Sequence, residues 1–376
     1  MSRQIRRKLV TVRRISNISP IAGSRYNVVT VDGWNVVVGR NEGFYDGQSV
    51  LYFEVDSLLP CNHNFWEFCA FSNNKSGYVV TTMIVSKHIS QGLIFHLDTF
   101  TEFSDLYTRM KNRHGMETTE MMIRNRSFED ILGVKKWENT KNGGTTHSLE
   151  TPPIFFPQPG CERAQNLPTL FRDHGEDEYQ ITEKLDGIPM SVYAVKKDSK
   201  WYSILPSPNE DSQCQQIGST RIGICNRTRD LVESSTSLFW NTAKKQGITE
   251  KISQVGHNIA VQGELCGFDI MSNTIGFEPG EHIFFVFGIF DIDNQEDLRP
   301  ETVKDICDRL GWEHVPIISD RIKLSAFAND VHDLLLRAEG TGMKGRAREG
   351  LVFKSIDASF AFKAISNPWL LETGKD

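Results

Sequence analysis

The sequence predicts an α+β protein in two parts, a barrel of short β-strands followed by a mixed α/β domain built on antiparallel sheets. Three observations carry that expectation. Residues 9–97 are rich in β-branched runs punctuated by Asn/Gly turns, with no helical period between them. Residues 139–153 are rich in Thr, Gly and Asn and end in Pro-Pro, which reads as a linker. Beyond it, apolar strands alternate with helical segments. The expected boundaries are 1–138 for the first domain with its helical extension, 139–153 for the linker and 154–376 for the second domain. At 376 residues the chain is long enough for each to bury a core.

The first domain opens on residues 9–15, a strand-like run whose basic side chains Arg13 and Arg14, with Arg6, Arg7 and Lys8 before it, suit a phosphate-facing surface. The first 31 residues hold seven Arg or Lys and no acid, which also fits a mitochondrial presequence. Residues 26–31 and 34–38 flank Asp32-Gly33, a strong hairpin signal. Residues 49–56 and 78–85 supply further strands, and such a series suggests an OB-fold. Residues 98–137 are mixed, with helical stretches. In the second domain, 178–195 reads as a β-hairpin around Asp186-Gly187, 198–220 as an exposed polar loop, 259–265 as a strand and 283–292 as a buried strand. Residues 300–311 form a helix by their Pro start, their Gly end and the stripe Val303, Ile306, Cys307 and Leu310.

Composition narrows the function. With 42 Lys+Arg against 48 Asp+Glu the net charge is −6, so a nucleic-acid site must be a local basic surface. No apolar run is long enough to span a membrane. The seven cysteines include no Cys-x-x-Cys pair, which signals neither structural zinc nor a disulfide framework. Cys266 and Cys307 read as small core residues, and a reducing compartment, cytoplasmic or nuclear, is expected.

Four islands place charge where a strand would prefer apolar residues: Glu183-Lys184-Leu185-Asp186-Gly187, Gln262-Gly263-Glu264, Glu349 to Lys354, and Phe360 to Ile365 around Lys363. Each alone also fits a charge on a strand rim. Together they supply a candidate nucleophile, three carboxylates for a divalent cation and two lysines for phosphate, the set that phosphoryl or nucleotidyl transfer needs. At an ordinary lysine pKa of about 10.4, only about one Lys184 in 2,500 is neutral at pH 7, so neighbouring cations or a metal must assist it.

In this order the islands resemble the motifs of the covalent nucleotidyltransferases, the superfamily of DNA ligases, RNA ligases and mRNA capping enzymes. Lys184-Leu185-Asp186-Gly187 resembles motif I, Cys225-Asn226-Arg227 motif Ia, Gly263-Glu264 motif III, Phe285 to Ile289 motif IIIa, Glu349 to Lys354 motif IV and Phe362-Lys363 motif V. Only 13 residues follow Lys363, so no OB domain is expected behind the ligase domain. An OB-like barrel in front of an ATP-grasp-like nucleotidyltransferase domain resembles the ATP-dependent RNA ligases of that arrangement.

The resemblance implies ATP and Mg2+ or Mn2+ as cofactors, and RNA with 3′-OH and 5′-phosphate ends, as a nicked duplex, as the partner of a monomeric enzyme. Lys184 would become Lys184–AMP. Asp186, Glu264 and Glu349 would hold the metal, directly or through its waters, and Glu264 would also touch the ribose. Phe287 would stack on adenine, and Glu183, Arg227, Arg163, Lys354 and Lys363 would complete the nucleotide site. Glu162 stands where a second basic residue is expected beside Arg163, and Ala361 and Ile365 flank Lys363, leaving Lys354 as the nearby second lysine. Two rivals stay open: a DNA-sealing ligase, and a nucleic-acid-binding protein with an inactive ligase domain.

Overall fold

A computed structural model of the protein describes residues 8–70, 72, 76–124, 126–137, 151–205 and 215–374. Arg6, Arg7 and most of the expected linker lie outside these residues. The described chain divides into two compact units, one of residues 8–137, 164–168 and 367–374, the other of 151–163 and 169–366.

The first unit is built on an antiparallel sheet. Strand β1 (Val10–Pro20) pairs with β2 (Tyr26–Val31), which pairs with β3 (Trp34–Gly39); on its other side β1 pairs with β4 (Ser49–Phe53), which pairs with β5 (Leu93–Phe95). The β2–β3 turn follows from two residues: Asp32 and Gly33 take φ of 48° and 84°, as a type I′ turn requires. Strand β1 changes partner along its length. Val10 to Arg14 face β4, Ile15 to Pro20 face β2, and a register shift after Ile15 lets the sheet bend. Alternation then buries both faces: Leu51 and Phe53 join one core, Val50 and Tyr52 another. Helices α1 (Thr101–His114) and α2 (Met116–Ile123) cover the first of these through Phe103 and Ile123.

Four expectations are corrected in this unit. Residues 78–85 are not one strand, since Tyr78–Val79 and Thr82–Val85 are separate and the latter turns back on His88–Gln91 through Ser86 and Lys87 at positive φ. Cys61 and Cys69 form a disulfide, with Cα atoms 5.7 Å apart, that ties the short helix Trp66–Ala70 to the segment before it. Spacing along the chain could not signal that closure. Arg13 is no surface charge. It is 4% exposed, lies over the Tyr52 ring at 4.9 Å, and donates to the Thr11 hydroxyl (3.0 Å) and the Gln165 carbonyl (2.8 Å). Arg14 alone of the pair is exposed, donating to the Gly47 carbonyl. The last correction concerns the chain's end: a short helix, Asn367–Thr373, buries Trp369 and Leu370 and belongs to this unit.

The second unit carries two sheets. In the first, β6 (Glu162–Arg163), β14 (Ala361–Ile365), β13 (Gly350–Ser355), β7 (Glu178–Lys184) and β12 (Ile317–Lys323) lie side by side in that order. The second places β8 (Ile188–Lys196) between β9 (Thr220–Asn226) and β10 (Ile259–Gly267), with β11 (His282–Asp291) beyond. All pairings are antiparallel except β6 with β14. Helices α3 (Leu238–Lys245) and α4 (Pro300–Leu310) cover the second sheet, the latter with Val303, Ile306, Cys307 and Leu310 buried and Gly311 in the left-handed region. Within 198–220, Gln215–Ile217 forms a short strand on β9, and residues 206–214 lie outside the described residues.

The expected hairpin over 178–195 does not form. Strand β7 pairs with β12 and β13, whereas β8 pairs with β9 and β10, so residues 185–187 carry the chain from one sheet to the other. Among the described residues no helix is long and apolar enough to cross a membrane.

A buried carboxyl gives this fold a pH signature. Asp230 is fully buried and accepts the Tyr193 hydroxyl at 2.7 Å; burial pushes it up to about 6, with Tyr193 and Arg221 opposing. Between the ordinary value of 3.8 and about 6 the native state keeps a proton that the unfolded chain has lost. Stability should therefore fall as pH rises through that window. Asp230→Asn is expected to flatten that slope in urea unfolding, and an unchanged slope would assign the proton elsewhere.

Candidate active site

Two ladder registers build the site around the crossing. At its start Lys184 faces Gly350, which puts Glu349 beside the lysine. At its end Pro189 faces Glu264. Both registers depend on glycine. A Cβ on Gly187 would lie 2.5 Å from the Leu265 carbonyl oxygen, and one on Gly350 would lie 2.2 Å from that of Ala364.

The result is a lysine held by carboxylates. Lys184 Nζ lies 2.7 Å from Glu349 Oε1 in a partly buried ion pair. Burial pulls the Lys184 ammonium down, but Glu349 and Glu264 more than offset it, so the net shift is upward and the lysine rests protonated. Burial pushes Glu264 up to about 7 against the pull of Lys184; Glu349 adds to the rise, while the Gly187 N–H and Arg227 oppose it. Lys363 stands within charge range of the lysine, but the carboxylates outweigh it, so anions hold Lys184.

A second group of cations stands nearby. Arg163 and Lys363 face each other across the parallel β6–β14 pair. Burial pulls Lys363 down, and Lys184 and Arg163 pull it further. Such a cation gains more than most from a phosphate. Lys354, on β13, donates to the Phe287 carbonyl and lies over the Phe287 ring at 5.0 Å; burial pulls it down as well. Phe287 owes its position to a β-bulge: Gln262 pairs with Gly288 and Gly263 with Val286, leaving Phe287 as the extra residue opposite Gln262-Gly263. Exposed Arg227 follows β9 on a turn closed by Asn226 Oδ1, which accepts the Thr228 and Arg229 N–H groups.

Glu183 is engaged elsewhere. Its Oε1 accepts the Met343 N–H at 3.2 Å, and burial raises its carboxyl against Met343 and Arg348. Two residues without any sequence motif join the site. The Thr274 hydroxyl donates to Asp186 Oδ2 at 2.6 Å, and Cys161 lies within charge range of Lys184, Lys354 and Lys363.

The donor chemistry of Asp186, Glu264 and Glu349 fits a hard divalent cation, and Glu349 Oε2 is buried without a hydrogen-bond partner. Among the described residues no three His, Cys, Asp or Glu side chains gather closely enough to chelate an ion directly.

A lysine between carboxylates, next to a pair of cations, is the set of groups that nucleotidyl transfer needs. The chain belongs to the RNA ligase family, whose model matches residues 177–366, and an OB-fold domain model matches residues 9–97. No curated protein sequence matches it. Among solved structures it is similar to a variant of the Naegleria gruberi RNA ligase with ATP and Mn, at 29% identity over 98% of this chain and 100% of that one, with a TM-score of 0.74. The same ligase with PPi matches at 28% identity over 98% and 99% of the two chains (TM-score 0.72), and a variant with AMP and Mn at 27% over 98% and 100% (TM-score 0.74).

The tight crossing can be tested directly. Gly187→Ala should cost about 1–3 kcal/mol through the forced Leu265 contact. Gly160→Ala, where a Cβ meets nothing within 4 Å, should leave the melting temperature nearly unchanged. Equal melting of the two variants would show that the crossing tolerates a side chain.

Proposed function

We propose that Lys184 is the nucleophile of an ATP-dependent RNA ligase that joins 3′-OH and 5′-phosphate ends. The observation that carries this reading is the Lys184–Glu349 pair at the sheet crossing, with Glu264 in charge range and Arg163 and Lys363 side by side. Lys184 must first lose a proton, which would pass to Glu349 Oε1, 2.7 Å away. The free amine then forms a bond to the α-phosphorus of ATP as pyrophosphate leaves, giving Lys184–AMP. Next the AMP passes to the RNA 5′-phosphate, and attack by the 3′-hydroxyl releases it.

Arg163 and Lys363 suit the phosphates of ATP, and Arg227 its ribose or phosphate. Adenine would take the face of Phe287 that Lys354 does not cover. Glu183, buried against Met343, would act by bracing the strand that ends in Lys184. Asp186, Glu264 and Glu349 would hold Mg2+ or Mn2+ through its waters. That ion would add positive charge where the phosphate charge develops. A nicked duplex, bound by a monomer, is the form of RNA proposed here.

Incubation with α-labelled ATP and manganese should leave label on the protein after denaturation, and Lys184→Ala should abolish it. Label at the wild-type level in that variant would place the nucleophile elsewhere. Sealing should follow when the 3′-OH strand is RNA and fail when it is DNA, and a nicked duplex should outpace single-stranded ends. Phe287→Leu should raise the ATP concentration needed for half-maximal labelling by roughly tenfold, since a stacked base is worth about 1–3 kcal/mol. Lost stability with unchanged ATP use would make the ring a packing residue only.

A further inference from the structure

Asp186 sits in the short crossing between the sheets, where no ladder pairing aims its side chain. A group from outside the strands engages it. The Thr274 hydroxyl donates to Asp186 Oδ2 at 2.6 Å. Thr274 stands on a loop fixed at both ends: Ile270 is buried in the core of the second sheet, and Phe277 is buried with Leu185 and Phe285. Between these anchors, Asn273 Oδ1 accepts the Gly276 and Phe277 N–H groups at 3.1 and 2.7 Å, and Arg346 Nη1 donates to the Asn273 carbonyl at 3.0 Å. The loop therefore presents its hydroxyl with little freedom. Because Phe277 packs with Leu185, the residue before Asp186, loop and crossing are held in one apolar cluster.

We propose that Thr274 is a positioning residue for the ligase reaction, holding the Asp186 carboxylate in its working orientation. The inference rests on the reading of Asp186 as part of the metal-holding set. An ordinary hydroxyl-to-carboxylate bond on a side chain of that kind commonly changes metal affinity or activity by 10- to 100-fold when lost.

The experiment compares full-length wild type, Thr274→Val, which keeps the shape without the donor, and Thr274→Ser, which keeps the donor. Lys184 labelling is followed at varied manganese and at varied ATP, with melting temperatures alongside. Thr274→Val is expected to raise the manganese requirement or lower the maximal labelling rate by about tenfold. Its half-saturating ATP and its melting temperature should stay near wild type, and Thr274→Ser should recover most of the loss. Should the valine variant melt early, Thr274→Ala, which leaves both loop anchors in place, carries the comparison. A donor-free variant with wild-type rate and manganese requirement overturns the proposal, and so does a serine variant as impaired as valine. A wild-type protein that never takes up label would overturn the underlying reading instead.

Discussion

Everything at the site depends on one constraint: the chain must pass from one sheet to another between Lys184 and Ile188. A hairpin would have left Lys184 on a solvent-facing turn with its own strand as its neighbour. The crossing instead ends one strand at the lysine and starts the next in a different sheet, so that each sheet contributes a carboxylate through its own register. Glu349 comes from the ladder that β7 makes with β13, and Glu264 from the one that β8 makes with β10. The backbone there runs so close to its neighbours that Gly187 has room for no side chain.

That geometry sets the electrostatics. Taking an ammonium out of water disfavours its charge, yet two nearby carboxylates restore it, so Lys184 rests as a cation in an ion pair. Burial raises Glu264 to about 7, and the nearby Glu349 adds to the rise. The neighbouring cations Lys354 and Lys363 are pulled down by burial, a state that phosphate oxygens would relieve. The site is thus tense in both signs of charge: Glu264, Glu349 and the outer lysines are held away from their ordinary values by the same dry surroundings.

The first unit shows the same economy with a charge. Arg13 is a cation inside a β-sheet core, tolerable because the Tyr52 ring, the Thr11 hydroxyl and the Gln165 carbonyl share its guanidinium, with Asp32 and Glu54 within 4.0 Å. Its neighbour Arg14, one residue on and therefore on the other face, stays in water. A run of basic residues in a strand is divided by the pleat between structure and surface.

The sequence by itself determined whatever depends on a few neighbouring residues. Asp32-Gly33 dictates a type I′ turn, Pro300 and Gly311 bound a helix whose buried stripe is legible at a glance, and the β-branched runs become strands. The order of the charged islands was enough to identify the family, because reactive residue types at fixed spacings are local facts. Partnership was not legible. The motif around Lys184 reads as a hairpin because Asp-Gly favours turns, and nothing nearby reveals that its two strands pair with segments far along the chain. For the same reason the sequence left unseen the bulge that sets Phe287 apart, the burial of Arg13, the Cys61–Cys69 bond and the hydroxyl of Thr274 against Asp186. Local propensity acts over a turn or a few residues, whereas register and side-chain contact between distant segments are fixed only when whole sheets pack, so tertiary structure alone decided them.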